Sequence, residues 1–233
     1  MLDKYRHDHL VFNDDIQVSW WLLLIALLLN QCLGRANISP SDDQGTGATA
    51  LAGLLGALRA KGEEVTSLGE QRIVIVGAGS AGIGIGQVLL QAMMEQGCSE
   101  EKAKKAFFVV DQHGLIGTDR LDTLTNEQKP FARAEDDQLP LKEVVKKYKP
   151  TILIGVTAYG GLFTQDLIEE MAAHEERPII FPLSNPTTKA ECTAEQAFEW
   201  TNGKCIFASG SPFEPVELSD GRKFYPSQCN NSK

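Results

Sequence analysis

Leu51, Leu54, Leu55 and Leu58 recur at i, i+3, i+4 and i+7 in the run ATALAGLLGALRA that follows Gly45-Thr46-Gly47. That spacing predicts an amphipathic helix with one apolar face. The pattern then changes: Arg72-Ile73-Val74-Ile75-Val76 is β-branched and does not alternate, as expected of a strand covered on both faces of a parallel sheet. Ile85 to Met94 is apolar and helix-prone, and Phe107-Phe108-Val109-Val110 reads as a second strand ending at Asp111, which completes a βαβ unit. Ser99 to Lys105 reads as a charged helical segment inserted within it. Apolar runs at Thr151 to Val156, Pro178 to Leu183 and Cys205 to Ala208 alternate with helical stretches around Leu141 to Tyr148, Thr164 to Ala173 and Thr193 to Trp200. This alternation predicts an α/β fold, a Rossmann-like doubly wound parallel sheet with helices on both faces. The polar stretch Thr118 to Leu139 reads as loop, and its polarity needs no function to explain it.

The strongest chemical signal sits between the first strand and its helix. Gly77-Ala78-Gly79-Ser80-Ala81-Gly82 is G-x-G-x-x-G, in which the three glycines allow a tight turn, close approach to a pyrophosphate and close helix packing. Ser80 and Ala81 open the helix, whose free N–H groups suit phosphate oxygens. Glycine-rich turns are common, so the motif gains weight only from its place after a strand. Asp111 closes the second strand, where an acid would hold ribose hydroxyls; it lies beyond the usual interval of about 20 residues, which the inserted segment explains. A solvated carboxylate at a strand end is the bland alternative.

Composition narrows the class. The 42% hydrophobic and 23% charged residues suit an ordinary globular chain. A net charge of -9 with scattered basic residues argues against a nucleic-acid partner. Five widely spaced cysteines with no CxxC pair argue against a disulfide framework or zinc site and for a reducing compartment. Trp20 to Leu29 is a run of ten apolar residues, which as a helix reaches only about 15 Å against a hydrocarbon core of roughly 30 Å, so no membrane span is expected.

Four motifs together resemble the malic enzyme family: Phe12-Asn13-Asp14-Asp15-Ile16-Gln17, the Gly77 turn, Leu183-Ser184-Asn185-Pro186-Thr187, and Phe207-Ala208-Ser209-Gly210-Ser211-Pro212-Phe213. Lys189-Ala190-Glu191-Cys192-Thr193 and Gly160-Gly161-Leu162-Phe163 are similar as well, and the order along the chain agrees. The resemblance implies oxidative decarboxylation of malate to pyruvate, with hydride passing to NAD or NADP and Mg²⁺ or Mn²⁺ at the substrate. A hard cation held by carboxylates acidifies the C2 hydroxyl and polarises the ketone that follows, which fits that chemistry. The resemblance makes Asp15 a metal ligand and places Asp14 beside the metal and the substrate hydroxyl as a catalytic residue. It makes Asn185, Asn230 and Asn231 substrate contacts, with Asn185 also near the nicotinamide ribose. Gly77, Gly79, Ser80, Ala81, Gly82 and Asp111 would hold the cofactor. Aligned through Pro130-Phe131, the position where NADP-preferring members often carry lysine falls on Gln128, which leans the choice towards NAD; Asp111 decides little. A homo-oligomer is expected from the family, while cytoplasmic, mitochondrial and plastid locations all stay open.

Two departures qualify the resemblance. Residues 18–44 separate Gln17 from Gly45 where the family runs on directly, and this stretch opens with Val18 and closes with Gln44. Such ends are compatible with a retained intron, so residues 1–44 are expected to be a remnant of the substrate and metal region plus an insertion, with the dinucleotide domain at 45–233. No residue here matches the family's tyrosine and lysine acid–base pair or its other acidic metal ligands, and His7, His9, His113 and His174 fit none of these roles. The expectation is a fragment inactive by itself; the alternative is a Rossmann protein that binds dinucleotide without catalysis.

Overall fold

The central strands are short and almost wholly buried, and they define the described domain. In the computed structural model, which describes residues 42–229, helix α1 (Asp42–Lys61) precedes β1 (Ile73–Val76), α2 (Ser80–Glu95), α3 (Glu100–Lys105) and β2 (Phe107–Asp111). The chain continues through β3 (Gly114–Leu115), α4 (Leu141–Tyr148), β4 (Ile152–Gly155), α5 (Gln165–His174), β5 (Ile179–Pro182), α6 (Ala194–Trp200) and β6 (Ile206–Ser209). It closes with β7 (Val216–Glu217), β8 (Lys223–Phe224) and β9 (Ser227–Gln228). The expected segment Ser99 to Lys105 is the short helix α3, started by Ser99, whose hydroxyl accepts the Lys102 N–H.

The sheet runs β3-β2-β1-β4-β5-β6-β9 and is parallel except for β3. This is the doubly wound order, with the direction of winding reversing between β1 and β4. Val74, Val76, Phe108, Val110, Leu153 and Ile180 pack on one face with Val144 and Val145 of α4 and Leu167, Ile168 and Met171 of α5. The opposite face meets α1 and α2, where Gly53 lies against the Phe181 ring and Gly86 against Ile75. Burial of β1, β4 and β5 on every residue explains why these runs do not alternate.

Sequence pattern did not announce β3, the β7–β8 hairpin or β9. Each is two residues long, too short for periodicity to register. The hairpin is anchored by Phe224, stacked on Phe198 of α6 at a centroid distance of 4.6 Å. Among the described residues no helix is long and apolar enough to cross a membrane, and the Trp20 to Leu29 run lies outside them. Cys98, Cys192, Cys205 and Cys229 are free.

Helix α6 starts with a reciprocal capping box. Thr193 Oγ1 accepts the Gln196 N–H at 3.1 Å, and Gln196 Oε1 accepts the Thr193 N–H at 2.9 Å. Thr193→Ala is therefore expected to cost about 1 kcal/mol, read as a lower urea midpoint at unchanged m value.

Candidate functional site

The carboxyl ends of β1, β2, β4, β5 and β6 open onto one edge of the sheet, and the ladder continues into each loop. Gly77 N donates to Val110 O (2.8 Å), Val156 N to Val76 O (2.9 Å), Leu183 N to Gly155 O (2.8 Å) and Gly210 N to Pro182 O (3.1 Å). The loops therefore leave the sheet in register. A crevice at the reversal of strand order is where open α/β sheets take ligands.

In the glycine turn the three glycines are held by different constraints. Gly77 has φ +113, and a Cβ there would lie 2.6 Å from the Val156 carbonyl oxygen. A Cβ on Gly82 would overlap the Gly77 carbonyl oxygen, so α2 can begin this close to β1 only without a side chain. At Gly79 a Cβ would meet no protein atom within 4 Å. Sterics within the protein therefore do not demand glycine at this exposed position; its place at the helix N-cap favours one, and the missing side chain leaves the turn open to a ligand. Gly79 is the N-cap of α2, and no side chain caps it. The N–H groups of the first turn, including Ser80 and Ala81, thus face the crevice edge without intrahelical partners.

Asp111 lies at the end of β2 but is not a free carboxylate. Arg120 Nη1 donates to Oδ2 at 2.8 Å and Nη2 to Oδ1 at 3.3 Å, while the His113 N–H donates to Oδ1 at 2.7 Å. Arg120 also donates through Nε to Asp137 Oδ1 (2.8 Å) and through Nη2 to Leu115 O (3.0 Å). Burial alone would lower the Arg120 pKa, but Asp111 and Asp137 outweigh it and hold it up. Burial likewise would raise the Asp137 carboxyl, but Arg120, Gln138 and the Gly117 N–H bring it below its ordinary value. Gln128 donates Nε2–H to the Ala78 carbonyl at 2.8 Å and accepts the Thr125 N–H at 2.9 Å. The polar segment Thr118 to Leu139 therefore braces both the acid, through Arg120, and the turn, through Gln128.

On the other side of the reversal, Asn185 follows β5 and is exposed. Its Oδ1 accepts the Ser211 hydroxyl at 2.7 Å, and Ser209 Oγ donates to Ser211 O at 2.7 Å, so the Ser209–Ser211 segment after β6 orients the amide. Its Nδ2 has only a 3.5 Å contact to Leu183 O. Glu191, fully buried, gathers Thr157 and Ser184 beneath the loops after β4 and β5. Glu191 stands within the family-like Lys189 to Thr193 string, but nothing in that string announces its buried contacts, and Arg120 carries no sequence signal. Asp14, Asp15, Asn230 and Asn231 lie outside the described residues. Among the described residues no group of three or more His, Cys, Asp or Glu could hold a metal ion.

Residues 44–233 match the family model described as malic enzyme, NAD binding domain. The chain belongs to the malic enzyme family. It is 47% identical over 234 residues to an NADP-dependent malic enzyme of Dictyostelium discoideum, covering 99% of this chain and 37% of that protein. It is 44% identical to an NADP-dependent malic enzyme of Mus musculus, covering 100% of this chain and 35% of the relative. Among solved structures, the malic enzyme of Entamoeba histolytica superposes with a TM-score of 0.60 at 26% identity, over 82% of this chain and 34% of that one. The chain thus spans about a third of the length of the curated malic enzymes it matches. The matched region contains the glycine turn, Asp111, Asn185, Asn230 and Asn231, and excludes Asp14 and Asp15.

Two outcomes follow from this geometry. Gly82→Ala is expected to destabilise the domain by about 3 kcal/mol through overpacking, whereas Gly79→Ala costs about 1 kcal/mol or less as a poorer N-cap; urea denaturation of both variants checks the contrast. Arg120→Met is expected to lower stability at neutral pH, with the gap to wild type narrowing below about pH 4. The sign follows because a carboxyl depressed in the folded state contributes stability above its unfolded pKa and loses it as pH falls through the folded value. Urea midpoints taken across that pH range provide the measurement.

Proposed function

We propose that the described domain binds the nicotinamide dinucleotide of a malate-oxidising, decarboxylating reaction that yields pyruvate and CO₂. The observation that carries this reading is Gly79, an exposed glycine whose missing side chain leaves space open to solvent at an uncapped helix start. The pyrophosphate would lie there, accepting the N–H groups of Ser80, Ala81 and Gly82. The adenosine ribose would lie towards Asp111 and the nicotinamide half over β4 and β5. Asn185 would offer its Nδ2–H to the nicotinamide ribose or to a substrate oxygen, since its Oδ1 is already engaged by Ser211. Asn230 and Asn231 would contact substrate carboxylate and hydroxyl groups. Asp15 would be a ligand, and Asp14 a neighbour, of a Mg²⁺ or Mn²⁺ ion, which when bound supplies Lewis acidity to the C2 oxygen. A homo-oligomeric assembly belongs to the same reading.

The choice of cofactor has support on both sides. A neutral Gln128, spent on the Ala78 carbonyl, offers no cation to a 2′-phosphate and favours NAD. The names of the Dictyostelium and mouse relatives favour NADP, as does a guanidinium, Arg120, beside the ribose position.

Titrating the protein with NADH and NADPH while following nicotinamide fluorescence tests both points. Saturable binding of either cofactor is expected, with Gly79→Ala weakening it about tenfold, or about 1.4 kcal/mol. Failure of both cofactors to bind overturns the reading, and the tighter of the two identifies the preference. Malate-dependent reduction of NAD or NADP in the presence of Mg²⁺ or Mn²⁺ then separates an enzyme from a domain that binds without turnover.

A further inference from the structure

Glu191 is buried completely, yet only one of its oxygens has hydrogen-bond partners among the described residues. Oε1 accepts the Thr157 N–H at 2.9 Å, the Thr157 hydroxyl at 2.8 Å and the Ser184 hydroxyl at 2.6 Å, while Oε2 is buried without a partner. A carboxylate half satisfied in the interior costs stability and calls for a reason beyond packing. The fold makes room for it deliberately: a Cβ on Gly155 would lie 2.6 Å from Glu191 Cγ and 2.7 Å from Oε2. The last residue of β4 must therefore be glycine for the carboxylate to reach under the sheet edge.

A carboxylate accepts and does not donate, and a hydroxyl has a single proton. Because Thr157 and Ser184 each give that proton to Oε1, their lone pairs turn towards the loop that follows β4. Ser184 Oγ accepts the Ala158 N–H at 2.8 Å, and Thr157 Oγ1 accepts the Tyr159 N–H at 3.1 Å. Ala158 has φ +58, a left-handed conformation that is strained for a non-glycine residue and needs support from its surroundings. The backbone adds to the tie, with Phe163 N donating to Glu191 O (2.9 Å) and Gly161 N to Ala190 O (3.1 Å).

We propose that Glu191 is a positioning residue for the nicotinamide half of the cofactor, fixing through the Thr157 and Ser184 hydroxyls the strained Ala158–Tyr159 backbone after β4. Every group it holds comes from the loops after β4 and β5, on the side of the strand reversal away from Asp111. The glycine turn keeps its own support, because Val156, on which Gly77 rests, is held by the ladder bond from its N–H to Val76 O. Loss of Glu191 therefore disturbs one nucleotide half and spares the other.

The assignment rests on the proposed dinucleotide role, and the test separates the two. Wild type, Glu191→Ala, Glu191→Gln and Ser184→Ala are titrated with the reduced dinucleotide that wild type binds and, separately, with ADP, which contains only the adenosine and pyrophosphate portion. Glu191→Ala is expected to weaken the dinucleotide about tenfold and ADP by less than about twofold. Ser184→Ala, which removes one hydroxyl and leaves the carboxylate, should weaken the dinucleotide about threefold and serves if Glu191→Ala does not fold. Glu191→Gln, with an acceptor oxygen in the same place, should restore most of the difference. Equal losses for both ligands, or no loss for either, overturn the assignment while leaving the cofactor reading intact. A wild-type protein that binds neither ligand overturns both.

Discussion

The contact between Gly82 and the Gly77 carbonyl oxygen sets the distance between the first helix of the βαβ unit and its strand, and the crevice takes its dimensions from it. With no side chain at either residue, α2 begins against the end of β1 and points its first N–H groups across the sheet edge. A side chain at Gly82 would push the helix back and move those donors with it. The parallel ladder then transmits the same alignment to the neighbouring loops, since each leaves its strand on a hydrogen bond to the strand beside it. The site is therefore built from backbone placement first and side-chain chemistry second.

Side chains enter mainly as braces. On one side of the reversal Arg120 draws Asp111, Asp137 and the Leu115 carbonyl together, and Gln128 reaches the turn itself. On the other, a buried acid organises two hydroxyls and two loops. Both arrangements place polar groups partly or wholly out of water, where hydrogen bonds are stronger and an unpaired group is more costly than at the surface. With such braces, moving the loops after β4 and β5 apart would break the buried hydrogen bonds of Glu191 with Thr157 and Ser184.

What the sequence revealed divides along physical lines. Runs such as Ile73–Val76 and Ile152–Gly155 were legible because burial on both faces demands unbroken apolar residues. The glycine motif was legible because steric limits tie glycine to particular positions. Arg120 and Gly155 were not, and Glu191 showed only as part of a family-like string, because their roles depend on pairings such as Gly155 with Glu191 or Arg120 with Asp137, and single charges or glycines leave no periodic trace. In the stretch Thr118 to Leu139 the resemblance drew notice to Gln128 alone, because the polarity of the segment records contact with water and hides the inward turn of Arg120. Family resemblance named Asn185, but its orientation by Ser211 became visible only in three dimensions.

The thiol of Cys229 donates to the carbonyl of Thr49 at 3.2 Å, joining residues 180 apart in sequence. Burial pushes that thiol's pKa up to about 12, so it stays protonated and keeps its donor. The same region brings β9 alongside β6 and Cys229 against Gly53 of α1. During synthesis α1 can meet α2, against which it packs, soon after both emerge, but its contacts with Phe181 and Cys229 wait for the later strands. Such long-range closure slows folding and prolongs the exposure of apolar surface. The last strand thus closes over a helix made at the start, and the sheet edge beside Cys229 is complete only when the end of the domain has been made.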